Sequence, residues 1–349
     1  MNQLNVAVLF GGCSSEYGVS LESAFCVIDG MDKEKFNPVL IGISEKGDWF
    51  LFEGDTIKIK NNTWWDPSEC TPAAFSPNRD AKKLSVFRFG RTEDILIDAV
   101  FPVLHGKNGE DGTVQGMTVL SGIPLAGCGV LSSALCMDKD RAHRIACTAG
   151  VSVPKSVVLK NREDIAKNSS DIRQLGFPLF VKPVKAGSSL GITRVETMDA
   201  LYVAVLLAFQ YDDRVILEEA IDGFEVGCAL LGNTELTVGE VDEIEISGAF
   251  FDFSEKYTRK TSTIHVPARI SKGKTEEIKE TAKRLYDALD CRGFARVDLF
   301  LTPSGKIIFN EINTIPGFTP HSRYPNMMKA AGLSFQSLIT CIIELAVME

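Results

Sequence analysis

The chain has 349 residues, of which 45% are hydrophobic and 24% charged, and its formal net charge is −9. This length predicts roughly two or three domains, and the negative charge argues against a broad nucleic-acid-binding face. The nine cysteines include no C-x-x-C pair, so neither a zinc site nor a disulfide scaffold is predicted. We find no basic leader and no run of about 20 apolar residues, which favours a cytoplasmic protein with reduced thiols.

The first predicted domain, residues 1–130, opens with a β-α-β pattern. Residues 4–10 are a compact apolar run that ends at two glycines, residues 20–31 have helical spacing, and residues 36–44 form another apolar run. This order is typical of a parallel sheet with helices on its faces, and hence of the α/β class. The polar and turn-rich residues 53–94 are expected to form an excursion and loop.

The rest of the chain is divided into two further predicted domains, residues 131–214 and 215–349. A helix is expected to begin after Asp138 as its N-cap and to stop at Gly150. The other predicted elements are two strands around a glycine-rich loop (177–195), a helix (200–209), two strands (214–232), a long helix (275–290), a terminal strand pair (294–313) and a core helix (335–347).

The terminal strand pair carries acids on otherwise apolar strands. If the turn at 302–305 closes with its first and last residues paired, Arg296 faces Glu311, and Asp298 and Asn313 lie on the same face. Burying such groups without compensation is costly. An all-oxygen set of net negative charge suits Mg²⁺, and no histidine belongs to it, so zinc is not expected. A plain cross-strand ion pair between Arg296 and Glu311 remains the alternative.

The segment KPVKAGSSLG (182–191) is a candidate phosphate-binding loop. Small residues let backbone N–H groups approach phosphate oxygens, and Lys182 adds a charge; an ordinary hairpin turn is the alternative. Neither a Walker A motif nor a G-x-G-x-x-G after the first strand is present, which argues against a nicotinamide oxidoreductase. Glu218 and Glu225 follow the next strand and are either nucleotide contacts or surface acids. A non-catalytic nucleotide-binding module would not need this set of acids and cations.

Together these motifs resemble the D-alanine–D-alanine ligase family of ATP-grasp enzymes. The similar segments occur in the family's order at 11–24, 101–116, 182–191, 252–257, 295–300 and 310–325. One departure is Tyr17, which stands where a histidine is usual. The resemblance implies an α/β ATP-grasp fold with an N-terminal β-α-β (preATP-grasp) domain, three domains in all. It also implies an ATP-dependent ligase that joins two D-amino acids through an acyl phosphate.

The resemblance implies which residues bind the first D-alanine. Glu16 would hold its amino group, supported through Ser188 and Tyr257. His105 would help to place its carboxylate. His143 has no motif around it and is expected to be structural.

The resemblance also implies the groups around the reacting carbonyl and the second substrate. Arg296 and the amide of Gly317 would stabilise the developing oxyanion. Lys256 and Ser322 would meet the second substrate's carboxylate or the transferred phosphate. The polar segment 251–267 is a candidate closing lid.

For the nucleotide, the resemblance implies four contacts. Lys139 and Lys182 would contact the ATP phosphates, Glu218 the adenine amino group and Glu225 the ribose. Two Mg²⁺ ions, which Mn²⁺ could replace, would be held by Asp298, Glu311 and Asn313. Relatives suggest a homodimer that acts on small D-amino acids.

Arg323 decides the predicted second substrate. In D-alanine-adding members the position after His-Ser is usually leucine or methionine, whereas a guanidinium suits a hydroxyl group. We therefore predict D-serine and a resemblance to the VanG type of vancomycin-resistance ligase, with a D-alanine–D-alanine ligase as the alternative. Lys256 and Tyr257 argue against D-lactate. A buried Arg323 would need an acid partner, and Asp242 and Glu243 are both candidates.

Overall fold

The computed structural model describes residues 3–187, 190–246, 262–319 and 321–348. Within these ranges the strands are β1 (Leu4–Gly11), β2 (Phe36–Ile43), β3 (Trp49–Phe52), β4 (Cys70–Phe75), β5 (Lys83–Arg88), β6 (Arg91–Leu96), β7 (Ala99–Pro102), β8 (Ser156–Leu159), β9 (Leu179–Pro183), β10 (Thr193–Val195), β11 (Val215–Glu219), β12 (Phe224–Leu231), β13 (Thr237–Val238), β14 (Asp242–Ile246), β15 (Ser262–His265), β16 (Phe294–Leu301) and β17 (Ile307–Asn313). The helices are α1 (Tyr17–Gly30), α2 (Ile57–Lys60), α3 (Thr113–Ser121), α4 (Val130–Met137), α5 (Lys139–Thr148), α6 (Asp164–Lys167), α7 (Ser169–Leu175), α8 (Met198–Ala208), α9 (Lys272–Ala288), α10 (Arg323–Ala330) and α11 (Phe335–Val347).

The first sheet has the strand order β6-β5-β4-β3-β2-β1-β7. Strand β1 pairs in parallel with β2 and β7, and α1 crosses between β1 and β2, so the predicted β-α-β opening is confirmed. The prediction of an excursion and loop for residues 53–94 was wrong in part, because β4, β5 and β6 add antiparallel strands to the sheet from this stretch. Strand β6 is an edge strand whose residues are largely exposed, so it lacks the apolar alternation that marks a strand.

The second sheet has the order β10-β9-β11-β8 and carries the glycine-rich loop between β9 and β10. Helix α8 covers this sheet with buried residues that include Leu201 and Val205. Helix α5 begins as predicted, because the side chain of Asp138 accepts a hydrogen bond from the backbone N–H of Arg141. Its first residue, Lys139, thereby lies close to the glycine-rich loop.

The third sheet has the order β15-β14-β12-β16-β17 and presents two unlike faces. Val226, Val297 and Leu299 point into a core that α9 covers with Ile278 and Leu285. Because side chains alternate along a strand, the neighbouring positions of β12 and β16, among them Asp298, belong to the opposite face. That polar face forms the floor of the candidate site described below.

The register of β16 and β17 differs from the prediction. Arg296 pairs with Asn313 and Asp298 with Glu311. The turn is one residue longer than expected, since Thr302 pairs with Lys306 and Gly305 adopts a positive φ of 80°. A bulge between Asp298 and Leu299 inserts a second extra residue. The two shifts together restore the parity, and the acids still share one face.

Helices α10 and α11 link the third sheet to the first. Val6 and Phe101 of the first sheet share one buried cluster with Phe294, Phe318 and Leu338 from the far end of the chain. Of the described helices, none is by itself long and apolar enough to span a membrane; α10 and α11 reach that length only as a pair bent by 102°. The predicted domain limits stay predictions. One buried cluster joins residues of the first and third predicted domains, so it marks no boundary between them.

Candidate active site

A cavity of about 520 Å³ opens between the first sheet, the glycine-rich loop and the polar face of the third sheet. This volume lies in the range of small-ligand sites. The sequence-predicted residues that line it are Glu16, His105, Lys139, Arg296, Glu311, Asn313, Gly317, Ser322 and Arg323. Three other predicted residues, Ser188, Lys256 and Tyr257, lie outside the described residues, as does most of the predicted lid.

Glu16 enters the cavity between two glycines. It is 7% exposed, and a Cβ atom placed on Gly106 or Gly187 would lie 2.7 or 2.6 Å from its Oε2. Gly106 also has a positive φ of 69°, which favours glycine there. The loop after β7 and the glycine-rich loop therefore pack closely against the carboxylate of Glu16. The resemblance implies that this carboxylate holds the amino group of the first substrate.

His105 is held in one orientation by the backbone. Its Nδ1 lies 3.0 Å from the carbonyl oxygen of Ile315, which can only accept, so Nδ1 carries a proton. Burial lowers the pKa of His105, and its Nε2 is buried without a hydrogen-bonding partner among the described residues. The neutral ring thus presents an acceptor at Nε2, and donation to a carboxylate there requires a second proton on the ring.

Glu110 is a site residue for which the sequence predicted no role, although it lies in the quoted segment 101–116. Its two carboxylate oxygens accept the backbone N–H groups of Gly106, at 2.8 Å, and Ile315, at 3.2 Å. Burial, followed by the nearby charge of Glu16, raises the pKa of Glu110 to about 8. An acid flanked by glycines in the G-E-D-G sequence was the available signal.

The predicted nucleotide residues divide into two groups. Lys139 lines the cavity, with Nζ 2.9 Å from the carbonyl oxygen of Ala186 and 3.6 Å from Oε2 of Glu311. Lys182 is bound instead to Glu218, at 2.6 Å. Burial alone would raise the pKa of Glu218, but Lys182, His143 and Lys139 together outweigh burial and lower the pKa.

His143 lies beside this ion pair and is buried, as expected of a structural residue. Its Nε2 lies 2.8 Å from the carbonyl oxygen of Asn310 and therefore donates. Its Nδ1 faces Oε1 of Glu218 at 3.6 Å, and neither atom has a hydrogen-bonding partner among the described residues. Glu218, for which the resemblance implies a contact with adenine, therefore has one oxygen, Oε1, that accepts no hydrogen bond from the described residues.

Asp298 is the centre of the acid group on the third sheet. Arg296 binds both of its oxygens, at 2.8 and 2.7 Å, and Nδ2 of Asn313 donates to Oδ2 at 2.9 Å. The alternative ion pair between Arg296 and Glu311 is not what the structure shows, because Arg296 turns along its own strand to Asp298. Glu311 lies directly across from Asp298 and lines the cavity.

Arg323, at the first turn of α10, is buried on the cavity wall with 7% exposure. Its Nε and Nη2 donate to the two oxygens of Asp242, both at 2.7 Å, and Nη1 donates to Glu225 at 2.6 Å. Nη1 also lies 3.2 Å from Oδ1 of Asp298. Burial alone would lower the pKa of Arg323, but Asp242 and Asp298 raise it well above its usual value.

The structure thus chooses between the two candidate partners of Arg323. Asp242 points to the cavity side of β14, whereas Glu243 points the other way and binds the half-exposed Arg269. Glu225, expected at the ribose, gives one oxygen to Arg323. Its role with the nucleotide remains a prediction.

Comparison with known proteins supports the family resemblance over nearly the whole chain. The model of the D-Ala D-Ala ligase N-terminus matches residues 5–128, and the model of its C-terminus matches residues 145–344. The chain belongs to the D-alanine–D-alanine ligase family. The ligase therefore has the ATP-grasp fold that the sequence predicted.

Individual relatives of the ligase include both resistance proteins and ordinary ligases. A solved structure of the VanG D-Ala:D-Ser ligase from Enterococcus faecalis superimposes with a TM-score of 0.91 and 53% identity, covering 99% of this chain and 100% of that one. The vancomycin B-type resistance protein VanB of Enterococcus faecalis is 45% identical, over 99% of both chains. A D-alanine–D-alanine ligase of Caldicellulosiruptor bescii is 44% identical, over 99% of this chain and 96% of its own.

Family membership implies the use of ATP and a divalent metal, and the acid group of the ligase fits such a metal. Glu311 and Asn313 line the cavity with oxygen atoms, and Asp298 lies between them and the two arginines. Oxygen-only ligands suit Mg²⁺. In the described part of the chain no group of three or more His, Cys, Asp or Glu side chains could hold a metal ion, so phosphate oxygens or water would complete the shell.

Proposed function

We propose that this ligase joins D-alanine to D-serine. The observation that carries the proposal is the buried guanidinium of Arg323 on the cavity wall. Arg323 directly follows Ser322, which is predicted to meet the second substrate's carboxylate or the transferred phosphate. Three carboxylates fix the guanidinium in place. The wall that the second substrate would touch is therefore charged and rigid.

A charged wall distinguishes a hydroxymethyl group from a methyl group. A hydroxyl can accept from a guanidinium N–H and donate to a neighbouring carboxylate such as Glu225. A methyl group can form neither of these hydrogen bonds, so the side chain of D-alanine would gain nothing from this charged wall. Sites that are built to hydrogen-bond a substrate hydroxyl reject the analogue that lacks it far better than apolar pockets separate two alkyl groups.

The reaction proposed for this chain has two steps. The carboxylate of the first D-alanine attacks the γ-phosphorus of ATP, giving D-alanyl phosphate and ADP. The amine of D-serine then attacks the carbonyl carbon, phosphate leaves with the bonding electron pair, and the proton lost by the nitrogen goes to the departing phosphate. Glu16 would hold the ammonium of the first substrate, and Arg296 with the Gly317 amide would face the oxyanion. Tyr257 and Ser188 would support Glu16.

The surrounding residues would bind and orient the nucleotide. Lys139 and Lys182 would neutralise phosphate charge, and Glu218 and Glu225 would contact adenine and ribose. Magnesium, when bound by Asp298, Glu311 and Asn313, would neutralise charge on the transferred phosphoryl group. His105 and Glu110 would hold the peptide of Ile315 beside the first substrate.

We further propose that the product serves peptidoglycan precursors with reduced affinity for vancomycin, made in the cytoplasm, where ATP is supplied. Two bound Mg²⁺ ions, their replacement by Mn²⁺, and a homodimer are parts of the same proposal. Lys256 and Tyr257 remain the reason for not proposing D-lactate.

A D-alanine–D-alanine ligase is the second candidate, and one observation favours it. Three hydrogen bonds and one further ion contact already direct Arg323 to protein carboxylates. An arginine satisfied in this way needs no substrate hydroxyl. The two candidates therefore differ in whether Arg323 contacts the second substrate.

Competition between the two acceptors tests the proposal. The ligase is incubated with ATP, Mg²⁺ and equimolar D-alanine and D-serine, and the dipeptides are separated by mass spectrometry. We expect D-alanyl-D-serine to predominate, with ADP and phosphate formed in equal amounts. Arg323→Met should move the ratio of kcat/KM values towards D-alanine. Arg269→Met should not, because Arg269 pairs with Glu243, which lies on β14 and points away from the cavity. Exclusive formation of D-alanyl-D-alanine by the wild type would refute the D-serine proposal.

A further inference from the structure

Gly227 lies in the middle of the polar face of the third sheet, beneath Arg323. On β12 it pairs with Asp242 of β14 on one side and with Asp298 of β16 on the other. Both of these acids contact the guanidinium of Arg323. Directly paired residues project side chains to the same face of a sheet, so a side chain at position 227 would point at the guanidinium.

The space above Gly227 is already filled. A Cβ atom built on this residue would collide with Nη2 of Arg323, and it would lie 2.6 Å from Oδ1 of Asp242 and 2.8 Å from Cε of Met327. Gly227 lies inside a regular strand and does not have a positive φ. Its lack of a side chain therefore serves the close approach of Arg323 and not a special backbone conformation.

The residues on either side of Gly227 show that the missing side chain is confined to position 227 of β12. Val226 and Cys228 on the other face are fully buried in the core. On the polar face the preceding position is Glu225, which itself binds Arg323. The guanidinium thus takes the place that a side chain at position 227 would occupy, with one carboxylate on each of three sides.

We propose that Gly227 is a positioning residue for selection of the second substrate: it keeps open the space in which Arg323 lies across Asp242, Glu225 and Asp298. This inference rests on the proposed D-serine function. A larger residue at 227 would leave the substrate-binding loops intact and would displace the one group that separates D-serine from D-alanine.

The first test measures kcat/KM for D-serine and for D-alanine in Gly227→Ala. We expect the kcat/KM value for D-serine, divided by that for D-alanine, to fall by at least about tenfold. A tenfold change corresponds to about 1.4 kcal/mol. Activity with D-alanine should persist. Gly116→Ala in α3, where an added Cβ meets no atom within 4 Å, is the matched control and should keep the wild-type ratio.

The second test is a double-mutant cycle with Arg323→Met. If Gly227 acts through the guanidinium, Gly227→Ala should change the substrate ratio by less than about twofold once Arg323 is gone, because the coupling energy is lost. Likewise, Gly227→Ala should lower the melting temperature more in the wild type than in the Arg323→Met background. The melting cycle remains informative if the single Gly227→Ala variant folds poorly.

Several results would overturn the inference. These are an unchanged ratio in a folded Gly227→Ala variant, an equal effect of the substitution in both backgrounds, or equal destabilisation in both. If the wild type makes no D-alanyl-D-serine, the proposed function and the specificity role fail together. If the wild type makes it and the cycle shows no coupling, only the role of Gly227 fails.

Discussion

Replacing Arg323 with methionine should destabilise the fold far more than a single surface charge would. The guanidinium contacts Asp242, Glu225 and Asp298, and Asp298 also binds Arg296. With both arginines these five groups carry a net charge of −1, and without Arg323 they carry −2. The side chains of Arg323 and Asp242 are 7% and 0% exposed, so water does not replace the lost partner.

The expected size follows from this burial. Removing one member of a buried, hydrogen-bonded ion pair costs about 3–5 kcal/mol. With an unfolding entropy of about 2.1 cal/mol/K per residue, 349 residues correspond to about 1.4 °C per kcal/mol, so the melting temperature should fall by at least about 4 °C. Thermal unfolding without nucleotide measures this fall.

Two further variants decide whether the cause is the unpaired charge. Arg323→Met combined with Asp242→Leu should recover part of the loss, since apolar replacement of a whole buried pair is often neutral. Arg269→Met removes a half-exposed arginine from Glu243 on the same strand and should change the melting temperature little. A fall in Arg323→Met no larger than in Arg269→Met would refute the reasoning.

Three other predictions concern the rest of the site. Lys182→Met should raise KM for ATP because Glu218 and the phosphates lose their cation, whereas Lys185→Met, an exposed lysine in the same loop, should leave KM near the wild-type value. Glu311→Gln should raise the Mg²⁺ concentration needed for half-maximal thermal stabilisation by ATP, and an unshifted titration would contradict its role as a ligand. Glu110, whose pKa of about 8 in the fold exceeds the usual 4.5, should make the protein lose stability as pH rises from about 4.5 through 8; parallel pH profiles of the wild type and Glu110→Gln would contradict this.

The terminal strand pair shows how far the sequence could be interpreted. Arg296, Asp298, Glu311 and Asn313 were predicted to share a face, and they do, but in a different register. The segment T-P-S-G allows turns of two or three residues, and no local pattern marks the bulge after Asp298. The longer turn and the bulge each shift the pairing by one residue. A total shift of two residues returns each side chain to its predicted face, so the four residues still share one face.

The partner of Arg323 could not be chosen from the sequence for a similar reason. Asp242 and Glu243 are adjacent on β14, and successive residues of a strand point to opposite faces. Which acid faces the cavity depends on the pairing of β14 with β12, set by contacts far apart in the chain. Glu110 was passed over because its partners, Gly106 and Ile315, are backbone groups that only the folded chain brings together.

The cluster shared by the first sheet and helix α11 constrains how the molecule is made. Val6 and Phe101 are synthesised before Leu338 and Ile342, which bury the same face and follow more than 200 residues later. The peptide of Ile315, which His105 and Glu110 hold, is equally late. Until those later residues are made, the first sheet has an uncovered apolar face, a condition that favours aggregation and chaperone binding.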